Sequence, residues 1–113
     1  MYSKELLKGT LKPLILKILS EKEAMYGYEI VQKLKEVTGG QILIREGSLY
    51  PILHSLKAEG ILSCRSVFLG ERERKYYSIT EPGKASVKAA LDELTNFVEL
   101  IQTVITPLPS TIP

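Results

Sequence analysis

IREGSLYPILHSLKAEGIL, residues 44–62, decides how the rest of the chain is read. Leu49, Ile52, Leu53 and Leu56 recur at i, i+3, i+4 and i+7, the spacing that places four aliphatic side chains on one side of an α-helix. That side predicts a core contact. At about 3.6 residues per turn, Gly47, Pro51, His54 and Ala58 fall on the opposite side, flanked by Tyr50 and Ser55. A surface helix normally carries Lys and Glu there, whereas this one carries small residues, hydroxyls, a histidine and a tyrosine. Such a face suits close approach by another surface. Gly60 then stops the helix, and Ile61-Leu62 open an extended segment.

Downstream, the apolar period shortens toward two. Leu62 to Phe68 and Lys75 to Ile79 read as strands joined by Leu69-Gly70-Glu71-Arg72-Glu73-Arg74, a polar connection with a glycine, which predicts a hairpin with a longer loop. Upstream, Thr10 is a candidate cap and Pro13 fits the first turn of a helix whose stripe is Leu11, Leu14, Ile15, Ile18 and Leu19. Glu21-Lys22-Glu23 is a predicted loop. A second helix is predicted from about Tyr26-Gly27-Tyr28, burying Ile30, Val31, Leu34 and Val37 and ending at Gly39-Gly40, and Gln41 to Ile44 reads as a brief strand. The order of helix, helix, short strand, helix and hairpin is that of a winged helix-turn-helix. The chain is therefore expected to be mainly α with a small β-hairpin, residues 1–80 forming this domain.

In that architecture the third helix enters a DNA major groove and the wing follows the backbone. The expected contacts to double-stranded DNA are Ser48, Tyr50, Pro51, His54 and Ser55 on the third helix, with Tyr26 and Tyr28 on the second. Arg72, Arg74 and Lys75 on the wing complete the set, because basic side chains there meet phosphates. For Tyr50 the alternative is a ring packed on the second helix, and for Arg72 a local pair with Glu71 or Glu73. Tyr76 and Tyr77 must point to opposite sides of a strand, one inward.

Thr80-Glu81-Pro82-Gly83 predicts the start of a last helix running to about Thr106, with Thr80 as cap. Val87, Leu91, Leu94, Val98, Ile101 and Ile105 recur at alternating spacings of four and three, which is a heptad seam. Such a helix is about 37 Å long, more than a small domain needs to close its own core. Residues 81–106 are thus expected to be a dimerisation helix, packing with its copy in a homodimer and with Leu6 and Leu7 alongside, the alternative being that the stripe packs within the chain against the first helix. The tail over 107–113 is expected to be flexible.

Composition sets outer limits. The chain has 113 residues, 44% apolar and 25% charged, an ordinary globular balance for one domain. Its apolar runs are far shorter than a membrane span, and the charged residues among the first seventeen interrupt any secretory h-region, so a cytoplasmic protein is expected. One cysteine, Cys64, and one histidine exclude an internal disulfide and a Cys/His metal set. No cofactor is expected. The net charge of +2 is small, but residues 1–44 carry seven basic and five acidic groups, 45–80 six and four, and 81–113 two and four. The positive excess thus lies in the winged part.

Leu11-Lys12-Pro13-Leu14-Ile15-Leu16, Tyr26-Gly27-Tyr28-Glu29-Ile30, Gly47-Ser48-Leu49-Tyr50-Pro51-Ile52-Leu53 with Leu56, Glu59 and Gly60, and Arg74-Lys75-Tyr76-Tyr77 with Ile79-Thr80 and Gly83 together resemble the PadR family of transcriptional regulators in its short form. The resemblance covers about residues 6–105. It departs at Arg45, where relatives often place a capping serine. It implies a dimeric repressor of a palindromic operator, released by a small effector. Some relatives hold planar aromatic compounds near the dimer interface, for which this chain offers Phe97 and no tryptophan. The competing reading is a winged-helix protein-interaction module that does not bind DNA. An enzyme is not expected, since no nucleophile–base pair, phosphate loop or paired carboxylate motif is present.

Overall fold

The computed structural model describes residues 2–106, and the tail predicted over 107–113 lies outside them. Five helices and three strands follow in order: α1 Lys4–Lys8, α2 Leu11–Ser20, β1 Met25–Tyr26, α3 Gly27–Val37, α4 Glu46–Ala58, β2 Leu62–Leu69, β3 Arg72–Ile79 and α5 Glu81–Ile105. The strands form one antiparallel sheet in the order β1-β3-β2. This is a winged helix-turn-helix followed by a long helix. The core gathers Ile15, Leu16, Ile18 and Leu19 of α2, Ile30 and Leu34 of α3, Leu49, Leu53 and Leu56 of α4, and Leu62 and Tyr77 of the sheet. α2 and α4 contribute the stripes that their apolar period marks, whereas in α3 Ile30 and Leu34 are buried, Val31 packs at the edge and Val37, expected to be buried, is exposed at the helix end.

Three local readings are corrected. Thr10 makes no side-chain cap for α2. Its hydroxyl instead donates to the Leu7 carbonyl at 3.0 Å and closes the end of α1, because the chain passes from α1 to α2 without leaving the helical region long enough for a cap. Gln41 to Ile44 is not a strand. Ile44 is buried and Ile42 packs against the core, so the alternation there serves burial, and the Ile42 amide donates to Thr38 Oγ1 at 3.0 Å instead of to a ladder. The third strand is β1, where Met25 stands opposite Tyr77 and Tyr26 opposite Tyr76.

The wing is also tighter than the sequence suggests. Leu69 pairs with Arg72, so the turn is only Gly70-Glu71, with Gly70 at φ +69 in the first central position. Arg72, Glu73 and Arg74 lie in the strand. Their polarity looks like a loop because the hairpin projects beyond the core and the side chain that does turn inward, Arg74, is itself charged, which removes the apolar alternation a half-buried strand shows.

α5 begins as predicted. Thr80 Oγ1 accepts from the Gly83 amide at 3.0 Å and Pro82 sits in the first turn. Its first turns lie against α2. Val87 is 6% exposed and belongs to the domain's own core, with Leu91 packed beside it. Val87 is therefore corrected as a seam residue, since the single chain already covers it. From Val98 onward the helix stands free. Val98, Ile101 and Ile105 are exposed together with Phe97, Leu100 and Val104, the last at 77%. Leu94 is half-buried, Leu7 likewise, and Leu6 is exposed.

Candidate nucleic-acid interface

α4 is held from one side only. Leu49, Leu53 and Leu56 are each 0% exposed, and Ile52 packs against the same core. Gly47, Ser48, Pro51, His54, Ser55 and Ala58 are all exposed. The helix enters through Arg45, whose carbonyl accepts from the Ser48 and Leu49 amides at 2.9 and 3.0 Å while its side chain caps nothing. Glu46 in the first turn suits the positive end of the helix dipole. Pro51 lies inside the helix, where it lacks the N–H that would bond the Gly47 carbonyl one turn earlier. That carbonyl lies on the uncovered side.

Tyr50 behaves differently from its neighbours. It is half-buried, and its ring lies over the first residue of α3, where a Cβ added to Gly27 would come 2.5 Å from the Tyr50 hydroxyl oxygen. Burial pushes the phenol up from its ordinary pKa and nearby Glu46 adds to the effect, so the hydroxyl stays protonated as a donor. Its ring centroid is 6.2 Å from that of His54. Tyr50 thus joins α4 to α3 and still reaches the groove between α4 and the wing. That groove, of about 650 Å³, is lined by Tyr26, Tyr28, Tyr50, His54, Arg72, Arg74 and Lys75, with Glu46, Glu73 and Tyr77 completing it.

Seven of the ten expected DNA contacts therefore line this groove, His54 and Tyr50 from the helix side and Tyr26, Tyr28 and the three wing cations around the hairpin, while Ser48 lies at the exposed helix start outside it. Pro51 and Ser55 share the exposed face of α4 without lining the groove. Arg72 and Lys75 are exposed, and no ion pair among the described residues involves a wing cation; Lys12 with Glu59 and Lys22 with Glu29 are examples of pairs made elsewhere. Arg74 is half-buried, its guanidinium carbon 4.0 Å from the centroid of the Tyr26 ring. Tyr28 is exposed beside Tyr26, and of the wing tyrosines Tyr77 faces the core while Tyr76 faces outward.

Two features lie beyond the sequence reading. One is that Gly27 is the residue receiving Tyr50, whose ring packs on the second helix as the alternative reading of Tyr50 expects; the signal was glycine at a helix start, a poor helix former unless something needs the space. The other is the stack of Arg74 on Tyr26, which depends on the unpredicted β1 pairing. Among the described residues no helix is long and apolar enough to cross a membrane.

A winged helix with an uncovered third helix and unpaired wing cations defines a class of protein built to meet a grooved, acidic partner. The sequence matches the family model of the transcriptional regulator PadR-like family over residues 15–89. The chain belongs to that family, one of regulators and not of enzymes. It is similar to a transcriptional regulator from Clostridium thermocellum, at 27% identity and TM-score 0.79, covering 94% of this chain and 100% of that one. It is also similar to a PadR family transcriptional regulator from Eggerthella lenta, at 28% identity and TM-score 0.78, covering 92% and 88%. Bacillus subtilis PadR, solved in complex with operator DNA, is 28% identical with TM-score 0.62, covering 91% of this chain, which spans 53% of that longer one.

Proposed function

We propose that this regulator binds duplex DNA as a homodimer, inserting the exposed face of α4 into the major groove while the wing lies on the backbone, and that it acts in the cytoplasm as a repressor of a palindromic operator. The observation that carries the reading is the one-sidedness of α4: three leucines wholly buried on one flank and Gly47, Ser48, Pro51, His54, Ser55 and Ala58 open on the other. Small side chains let the helix backbone approach base edges, and Ser48, His54 and Ser55 supply hydrogen-bonding groups. Operator DNA bound by Bacillus subtilis PadR supports the same partner here.

The homodimer reading rests on the free half of α5. Leu94, Val98, Ile101 and Ile105 continue the seam past the point where α2 covers it, and Phe97, Leu100 and Val104 widen it. A two-fold pair of such helices would carry two copies of α4, and operator symmetry follows protein symmetry. Residues 2–80 then act as the DNA-binding unit and 81–106 as the rod that joins two of them. Release by a small effector completes the reading. A groove of about 630 Å³ between α2 and α5 has a floor of Leu19, Ile79, Val87 and Leu91 and a rim of mixed charge, with Lys22, Lys84 and Lys88 beside Glu23 and Asp92. Its lining comes from the winged part and from α5 alike, so a small apolar ligand seated there would touch both units.

Selecting bound fragments from sheared genomic DNA and titrating the winner against salt tests the proposal. Affinity is expected to fall steeply and linearly in log–log form as salt rises, through release of counterions from the phosphates. An affinity for duplex DNA that ignores salt, or enrichment of no fragment, would turn the reading toward a protein partner for the same face.

A further inference from the structure

Of the three wing cations, Arg72 and Lys75 project into solvent, whereas Arg74 is half-buried with its guanidinium 4.0 Å above the centre of the Tyr26 ring. The ring itself is fixed from several directions. Tyr26 pairs with Tyr76 across β1 and β3, and its amide donates to Glu29 Oε1 at 3.2 Å. Lys22 in turn holds Glu29 at 3.1 Å. The Tyr26 ring meets that of Tyr76 edge-on at 5.4 Å and stacks beside that of Tyr28 at 6.4 Å. The following residue, Gly27, receives Tyr50 of α4. Two consecutive residues therefore tie the wing and the recognition helix to the start of α3.

A guanidinium held over an aromatic face, as Arg74 is over Tyr26 at 4.0 Å, is fixed in place and retains further N–H donors that can bond a phosphate. An arginine without such support must lose its side-chain freedom when it binds. We propose that Tyr26 is a positioning residue for DNA binding: its ring holds Arg74 at the root of the wing in the orientation in which the guanidinium meets a backbone phosphate. This rests on the DNA-binding reading above. Tyr26 acts through Arg74, and a ring without the hydroxyl does the same work.

A double-mutant cycle on the selected duplex tests it. Tyr26→Leu is expected to weaken binding by ~3-fold in the parent and by nothing in the Arg74→Ala background, and Tyr26→Phe, which keeps the ring, is expected to recover most of the loss seen with Tyr26→Leu. An equal loss in both backgrounds, or no loss in the parent, overturns the proposal while leaving DNA binding intact. A parent without salt-dependent duplex binding overturns both. If Tyr26→Leu does not fold, ¹⁵N relaxation of the arginine Nε–H groups in the free parent decides. Arg74 is expected to be ordered before DNA is added and Arg72 mobile; an Arg74 as mobile as Arg72 overturns the proposal.

Discussion

The hydroxyl oxygen of Tyr50 occupies the space that any side chain at Gly27 would need, 2.5 Å from the position of its Cβ. This contact sets how α4 lies against α3. Gly27→Ala should therefore force the Tyr50 ring outward or push the helices apart, costing about 1–3 kcal/mol as overpacking does. Tyr50→Ala in the same chain should return part of that loss, because it empties the contested space. Urea denaturation of the four proteins of the cycle measures this, and strictly additive effects would separate the two residues.

The seam on α5 divides by position. Leu94→Glu should yield monomers, since it places a charge between apolar helices, while the fold survives because Leu94, though half-buried, is not part of the domain's core. Val87→Ala should do the opposite, lowering stability by about 2 kcal/mol through lost burial and leaving the oligomer intact. Light scattering separates the two cases. A dimer mass for Leu94→Glu would move the interface elsewhere.

Wing and helix should differ in what they contribute to DNA affinity. Lys75→Ala removes an exposed cation and should weaken all duplexes alike, making the slope of log affinity on log salt shallower by about one unit. His54→Ala should instead change the ranking among duplex sequences, since it alters the face directed at base edges. Competition among selected fragments, run at two salt concentrations, distinguishes these outcomes. A change of ranking with Lys75→Ala would assign base contact to the wing.

The helices were legible because each buries one stripe, and burial is what apolar period records. α4 shows this most plainly, its buried Leu49, Leu53 and Leu56 and its open Gly47, His54 and Ala58 following directly from spacing. β1 was not legible, as two residues carry no period at all and Met25 is placed by its partner Tyr77. The wing strands extend further than the apolar period marks because Arg72 and Glu73 face water and Arg74 packs on a tyrosine ring, so none of the three carries an apolar signal. Val87 and Val98 share one heptad pattern, and only the position of α2 determines which is covered. The site followed the same division. The exposed face of α4 and the alternative of Tyr50 packed on the second helix came from the sequence, whereas the choice of Gly27 as its seat and the contact of Arg74 with Tyr26 are tertiary features that spacing cannot encode.

Tyr77 links burial to alkaline stability. It is 1% exposed, and its pKa is pushed up to about 12, by burial first and then by the Cys64 thiol and Tyr50. An unfolded tyrosine ionises near pH ~10. The folded chain therefore favours the neutral phenol, a contribution that is full below pH ~10 and lost as pH rises from ~10 to ~12. Its size is about 2–3 kcal/mol for a shift of that order. Tyr77→Phe cannot ionise, so its stability should fall less across that window than the parent's. Urea midpoints at pH ~9 and ~11.5 compare the two, and equal declines would place the alkaline sensitivity in other groups.

Thr80 joins the recognition helix to the dimer rod. Its hydroxyl donates to the Gly60 carbonyl at 2.7 Å and accepts from the Gly83 amide at 3.0 Å, while its own amide donates to the Ile61 carbonyl at 3.0 Å. One side chain thus ties the end of α4 to the start of α5. Thr80→Val keeps the shape and removes the hydroxyl, and should cost about 1–2 kcal/mol, as loss of a helix cap does. Because the angle between α4 and α5 sets where two recognition helices stand in a dimer, the variant should lose more affinity for a full palindrome than for a half-site. Thr80→Ser should restore both. Equal losses on the two duplexes would mean that the hydroxyl serves stability alone and that the rod is aligned by the packing of α5 on α2.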